Sequence, residues 1–247
     1  MWMAFFWLLL TLLPLLALER WLRRHLYGLG LLLSGSPEIA EFVYFLLLLP
    51  GILVHELSHW LIAWALGVRT GRISIWPRRQ RDGRLRLGYI ETEATGPVRE
   101  ALIGVAPLVS GVALILLIGE HALGIAGIGS ALVAGDLGGL LRRLAAAAQA
   151  PDVWLWLYLV FALANAMLPS PADRRAWPVG ILVGLGLAAL LGLAGLANRL
   201  AEWADLALRS LAAAFILAIA ADVVVGLAIW LAWALLVRAL RRGVEYF

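Results

Sequence analysis

The sequence predicts an all-α polytopic membrane protein of about six transmembrane helices, with a β-hairpin after the second. Three observations predict it. Apolar residues make up 63% of the 247 residues and the mean hydropathy is +0.92. These residues fall in long uninterrupted runs rather than in ten-residue alternating segments, which selects helices over a barrel. Polar residues concentrate in one long stretch, Arg69 to Arg99. The whole chain, 1–247, reads as a single membrane domain, with its core at 42–175 and a membrane-associated hairpin loop at 69–99.

The first span is Trp2–Leu18. It lacks the basic start and small-residue cleavage site of a signal peptide, so it is expected to remain a span. An aromatic and basic interfacial segment, Glu19 to His25, follows it, and Gly28, Gly30, Gly35 and Pro37 should then break the helix. Ser36 as N-cap, with Pro37 and Glu38 in the first turn, opens a second helix that runs to about Leu66 and stops at Gly67. Pro50 removes one of its backbone hydrogen bonds and should kink it.

After Arg69 the period changes. Arg72-Ile73-Ser74-Ile75-Trp76 and Arg84-Leu85-Arg86-Leu87-Gly88-Tyr89 alternate polar and apolar residues around Asp82-Gly83, which is turn chemistry. The expectation is a β-hairpin on the membrane surface; an amphipathic loop is the plainer alternative. A third span, about Ala101–Ile118, carries a small-residue face of Gly104, Ala106, Ser110 and Gly111. Residues 119–151 read as a loop with a short interfacial helix. Spans four to six cover about Val153–Leu168, Trp177–Leu196 and Leu211–Val237.

Charge bears on orientation and partners. All 20 basic residues are arginine, and the net charge is +4. In an apolar chain these arginines speak to topology and anionic membrane lipid; no nucleic acid partner is expected. Six alternating spans put 13 arginines with the hairpin, the Arg174-Arg175 turn and the C-terminal tail, which places the hairpin and both termini in the cytoplasm. Cysteine is absent, so disulfides and thiolate metal sites are excluded.

The chemistry centres on His55-Glu56-Leu57-Ser58-His59, the pattern H-E-x-x-H inside an apolar span. Four residues apart on a helix, the two imidazoles share one face and can grip one metal ion. Glu56, turned about 100° from His55, can reach a water at that metal as a general base. Incidental polar residues on a surface helix are the bland alternative, but two histidines and a glutamate within hydrocarbon are costly and mark function. A catalytic zinc needs a third protein ligand. Candidates are Asp173, Asp222 and Asp136; Glu41, roughly 21 Å from His55 by helical rise, is too far. Asn165 offers a donor and an acceptor within the fourth span.

His55-Glu56-Leu57-Ser58-His59-Trp60-Leu61-Ile62-Ala63, the hairpin, and then Asn165 and Asp173 on the fourth span resemble the site-2 protease family of intramembrane zinc metalloproteases. The resemblance is to the compact six-span members and covers about residues 42–175. Ala106-Pro107-Leu108-Val109-Ser110 is similar to the motif of the intervening span. Arg174 stands where the family has glycine, and no PDZ-like domain is evident. The resemblance implies Zn²⁺ held by His55, His59 and Asp173, Glu56 as the catalytic base, and Asn165 on the substrate or the oxyanion. It implies single-span transmembrane protein substrates cleaved within a prokaryotic inner membrane, with a regulatory membrane partner as an option. A zinc transporter, a chaperone-like relative and a lipid-modifying metalloenzyme are the rival readings.

Overall fold

The computed structural model describes residues 2–74, 78–79, 85–86, 88–125, 130–131 and 134–240. Helices dominate them: α1 (Trp2–Ser34), α2 (Pro37–Ala65), α3 (Pro97–Leu117, extended by a wide turn Ile118–Ala122), α4 (Leu137–Ala147), α5 (Val153–Met167), α6 (Trp177–Leu191, extended by a wide turn Gly192–Leu196) and α7 (Ala197–Leu240). Among the described residues, four helical stretches are long and apolar enough to cross a membrane: Trp2–Ser34, Pro37–Ala65, Pro97–Ala122 and Trp177–Arg238. They mark the chain as an integral membrane protein of the helical class.

Helix α1 is longer than its sequence suggests. Gly28 and Gly30 do not break it; both are buried, and a Cβ on Gly30 would stand 2.8 Å from the Ala40 Cα. Gly30 thus lets α1 and α2 approach closely. The break falls at Gly35, whose φ of +67° suits glycine. Glu19 lies inside the helix and pairs with Arg23 one turn on.

Helix α2 starts as its cap residues predict, with the Ser36 hydroxyl accepting from the Ile39 N–H. It continues through Pro50 and ends in a Schellman motif. There Val68 N–H donates to Ala63 O and Gly67 N–H to Trp64 O, with Gly67 at φ +67°. Val68 then packs on Ala63 and Ile103, so the motif also docks α2 on α3.

The polar stretch forms short antiparallel pairs. Strand β1 (Thr70–Ser74) pairs with β4 (Tyr89–Thr92) through Ile73↔Ile90 and Ser74↔Tyr89, while β2 (Arg78–Arg79) pairs with β3 (Leu85–Arg86). The second expected strand, 84–89, is therefore divided around Gly88, and the outer partner of β1 lies further on, at 89–92. Asp82-Gly83, the expected turn, lies outside the described residues.

Helix direction can be read from contacts. Ser58 meets Ser110 and His59 meets Ile103, so α2 and α3 run antiparallel. Gly111 meets Met167 while Gly104 meets the loop beyond α5 at Asp173, so α3 and α5 run antiparallel too. Trp21 and Leu22 lie against Gly226, and His25 lies 5.6 Å from Trp233 between ring centroids. Advancing along α1 is thus advancing along α7: the two are parallel.

Six alternating crossings would make the last helix antiparallel to the first, so this differs from expectation. Helix α6 begins and ends on the side where α1 begins, and the ends of α1 and α7 that were expected to share the cytoplasm lie on opposite sides. Hydropathy measures the length of an apolar segment, not its direction. What turns the chain is Gly195, at φ +82°, and α6 has no buried residue to hold it in the bundle.

Candidate metal centre

Three elements build the site: α2, α3, and the loop after α5. On α2, the His55 and His59 ring centroids lie 4.8 Å apart. Each Nδ1 is held by a backbone carbonyl. His55 Nδ1 donates to Ala166 O at 2.7 Å and His59 Nδ1 to Ile103 O at 2.9 Å. Both carbonyls are accounted for locally. Ala166 sits in the last turn of α5, whose carbonyls lack intrahelical partners, and Pro107 cannot donate the hydrogen bond that Ile103 O would otherwise accept.

With each Nδ1–H donated to a carbonyl, both Nε2 atoms turn toward one another, 3.1 Å apart. Asp173 closes the triangle: Oδ1 is 3.2 Å from His59 Nε2, and Oδ2 is 3.7 Å from His55 Nε2. In the neutral rings these nitrogens carry lone pairs, so the three groups require a positive charge among them. Four ligands at 2.0–2.1 Å from a tetrahedral zinc lie about 3.3 Å apart along the edges; the separation of the two imidazole nitrogens is close to that, and the carboxylate turns a different oxygen toward each of them. The donor set of two imidazoles and a carboxylate fits a zinc-type ion in chemistry, and one ligand atom from each lies within 4.8 Å of the other two.

The Asp173 loop is itself well determined. Leu168 leaves α5 in an extended conformation, as a residue before proline prefers. Ser170 and Asp173 then bond reciprocally: Ser170 N–H donates to Asp173 Oδ2 at 2.7 Å, and Asp173 N–H to the Ser170 hydroxyl at 3.3 Å. This is the arrangement of a capping box. Burial pushes the Asp173 carboxyl up, yet hydrogen bonds from His59 and Ser170 outweigh it and hold the pKa at about 2, against an ordinary 3.8. The side chain is thus a carboxylate, as a metal ligand must be. Arg174 is exposed and donates its backbone N–H to Ser170 O, so it extends the same turn.

Glu56 is buried, at 9% exposure. Gly88, just before β4, lies directly against it: a Cβ there would stand 2.8 Å from Glu56 Oε1. Ser58 donates to Val54 O and lies 2.6 Å from the Ser110 hydroxyl, which ties α2 to α3 beside the histidines.

The other carboxylates considered as third ligands lie elsewhere. Asp136 caps α4, accepting from Gly139 N–H. Asp222, on α7, accepts from Asn165 Nδ2 at 2.8 Å. Asn165 also donates to Phe161 O at 2.9 Å, so both of its amide hydrogens are engaged and only its carbonyl oxygen remains.

Two positions were not legible as site residues. Gly104 appears in the sequence only as part of a small-residue face, yet a Cβ there would collide with the Asp173 carbonyl oxygen. Gly88 carries no signal beyond its place in an alternating stretch. Comparison with family models, with curated proteins and with solved structures found no match.

Proposed function

We propose that this protein is an intramembrane zinc metalloprotease that hydrolyses peptide bonds of single-span membrane proteins. The observation that supports it most is the convergence of His55, His59 and Asp173, which offer one ligand atom each within 4.8 Å of one another, with Glu56 beside them on the same helix. A zinc ion there would polarise the scissile carbonyl and acidify a water. Glu56 removes the proton from the attacking water and returns it to the leaving amine. Low exposure of Glu56 and of the ligands limits competing solvent and strengthens these charges.

A substrate helix hides its carbonyls in i→i−4 bonds and must unwind to be cut. Strand β4 follows Gly88, the residue against Glu56, so a strand added to the β1–β4 pair would be delivered toward the base. Asn165 is engaged with Asp222 on the α7 side of α5 and takes no part in the proposed step. We further propose a prokaryotic inner membrane, with the β1–β4 side cytoplasmic on the strength of its arginines.

The test is purified protein in lipid with a model single-span substrate, assayed for cleavage and zinc content. Wild type should cleave and carry about one zinc; Glu56→Gln should keep the zinc and lose cleavage. Cleavage retained by Glu56→Gln would overturn the proposal, and zinc without hydrolysis in wild type would favour a transporter or chaperone-like role.

A further inference from the structure

Asp222 is the most completely buried carboxyl among the described residues, at 0% exposure. Its Oδ1 accepts from Asn165, while Oδ2 is buried without a hydrogen-bond partner. Such a group within an apolar bundle is costly to keep, and nothing in the proposed chemistry uses it.

Its position suggests what it does. Helix α5 is short and ends in an uncapped turn, the part of a helix most prone to fray. That same turn must hold the Ala166 carbonyl 2.7 Å from His55 Nδ1. On the α2 side, Gly51 fixes the closest approach: a Cβ there would collide with the Ala162 carbonyl and stand 2.7 Å from the Ala166 Cβ. On the opposite side, α5 is held to α7 by the bond from Asn165, the residue next to Ala166, to Asp222. Gly51 sets how near α5 comes, and Asp222 sets where along α7 it stands.

We infer that Asp222 is a positioning residue for the metal centre: through Asn165 it fixes the last turn of α5, whose Ala166 carbonyl keeps His55 in the tautomer that frees Nε2. This rests on the metal-site reading, but part of its test does not need a metal. The acceptor matters rather than the charge, so Asp222→Asn should substitute for aspartate and Asp222→Leu, of similar size, should not.

Two readouts on the full-length protein in micelles decide it. In metal-free protein, ¹⁵N resonances of His55 should report a single Nδ1–H tautomer in wild type and in Asp222→Asn, and a mixture in Asp222→Leu. Zinc affinity by chelator competition should fall about tenfold or more in Asp222→Leu, the size of effect typical of groups that orient a ligand, and stay within about threefold in Asp222→Asn. Thermal unfolding identifies variants that fail to fold; for those, Asp222→Ser, which keeps an oxygen, is compared with Asp222→Ala. An unchanged tautomer and affinity in Asp222→Leu, or equal losses in both variants, would overturn the inference. Wild type that binds no divalent ion while the tautomer result holds would overturn the zinc reading and leave the positioning role standing.

Discussion

Helix α5 separates two polar clusters of opposite character. Toward α2 and α3, Asp173 meets two imidazoles, a backbone N–H and a serine hydroxyl, and stays partly accessible, at 12% side-chain exposure. Toward α7, Asp222 meets one amide and is sealed off. The sequence offers the two aspartates as comparable candidates for a third ligand, since both lie in or beside apolar spans. What separates them is the partner set. A carboxylate with several donors and a cationic site can remain charged and bind an ion, whereas a carboxyl with one amide partner can at most hold a helix in place.

The largest expected effect breaks this comparison directly. Asp173→Ala should weaken zinc binding a few hundred-fold, about a quarter of the ~10–16 kcal/mol a four-ligand zinc site can supply, and abolish hydrolysis. Asp222→Ala should retain most of the zinc. Metal analysis of the two purified variants side by side checks this, and zinc lost only from the Asp222 variant would exchange their roles.

Next in size, Glu56→Gln should reduce turnover about 10²–10⁴-fold with zinc affinity unchanged, separating the base from the ligands on the same helix. Gly104→Val should act on the Asp173 side alone. Its side chain displaces the Asp173 carbonyl, so zinc affinity should drop about tenfold or more while the Asn165–Asp222 contact persists. Equal zinc binding in Gly104→Val and wild type would show that the loop adapts.

Acidification should release the metal as the histidines take up protons. Asp173, with its pKa depressed to about 2, remains ionised far below that transition. In the metal-free protein its stabilising contribution is complete above its unfolded value of about 3.8 and is lost only as pH falls through about 2. A zinc-release midpoint near pH 2 would contradict this assignment. The smallest effect is expected of Ser110→Ala, which removes the bond to Ser58. It should cost about 1 kcal/mol of stability, read as a modest fall in melting temperature, and leave turnover nearly intact.

Much of the local structure is legible because its causes are local. Ser36-Pro37 starts α2 and Gly67 ends it where capping chemistry requires. The four-residue spacing of His55 and His59 guarantees a shared helix face in any tertiary context. The ends of the strands were less legible: Tyr89–Thr92 pairs with β1 through a bulged register, and register depends on the partner rather than on the strand's own alternation. Gly28 and Gly30 read as breakers because glycine weakens an isolated helix, but α1 runs through both, and at Gly30 the lack of a Cβ permits close packing against Ala40.

By itself, then, the sequence determined an apolar helical protein, the ends of its second helix, and the pair of histidines with a glutamate between them. All of these follow from nearest-neighbour chemistry and helical period. Only the tertiary structure decided which aspartate lies against the two histidines, that Asn165 pairs with Asp222, and that α7 runs parallel to α1. Those outcomes depend on contacts between residues far apart in the chain, from Asn165 with Asp222 to Trp21 with Gly226. Which of several long-range contacts forms is fixed by how closely helices can approach at glycines such as Gly51 and Gly104, a property of pairs of surfaces that no single segment encodes.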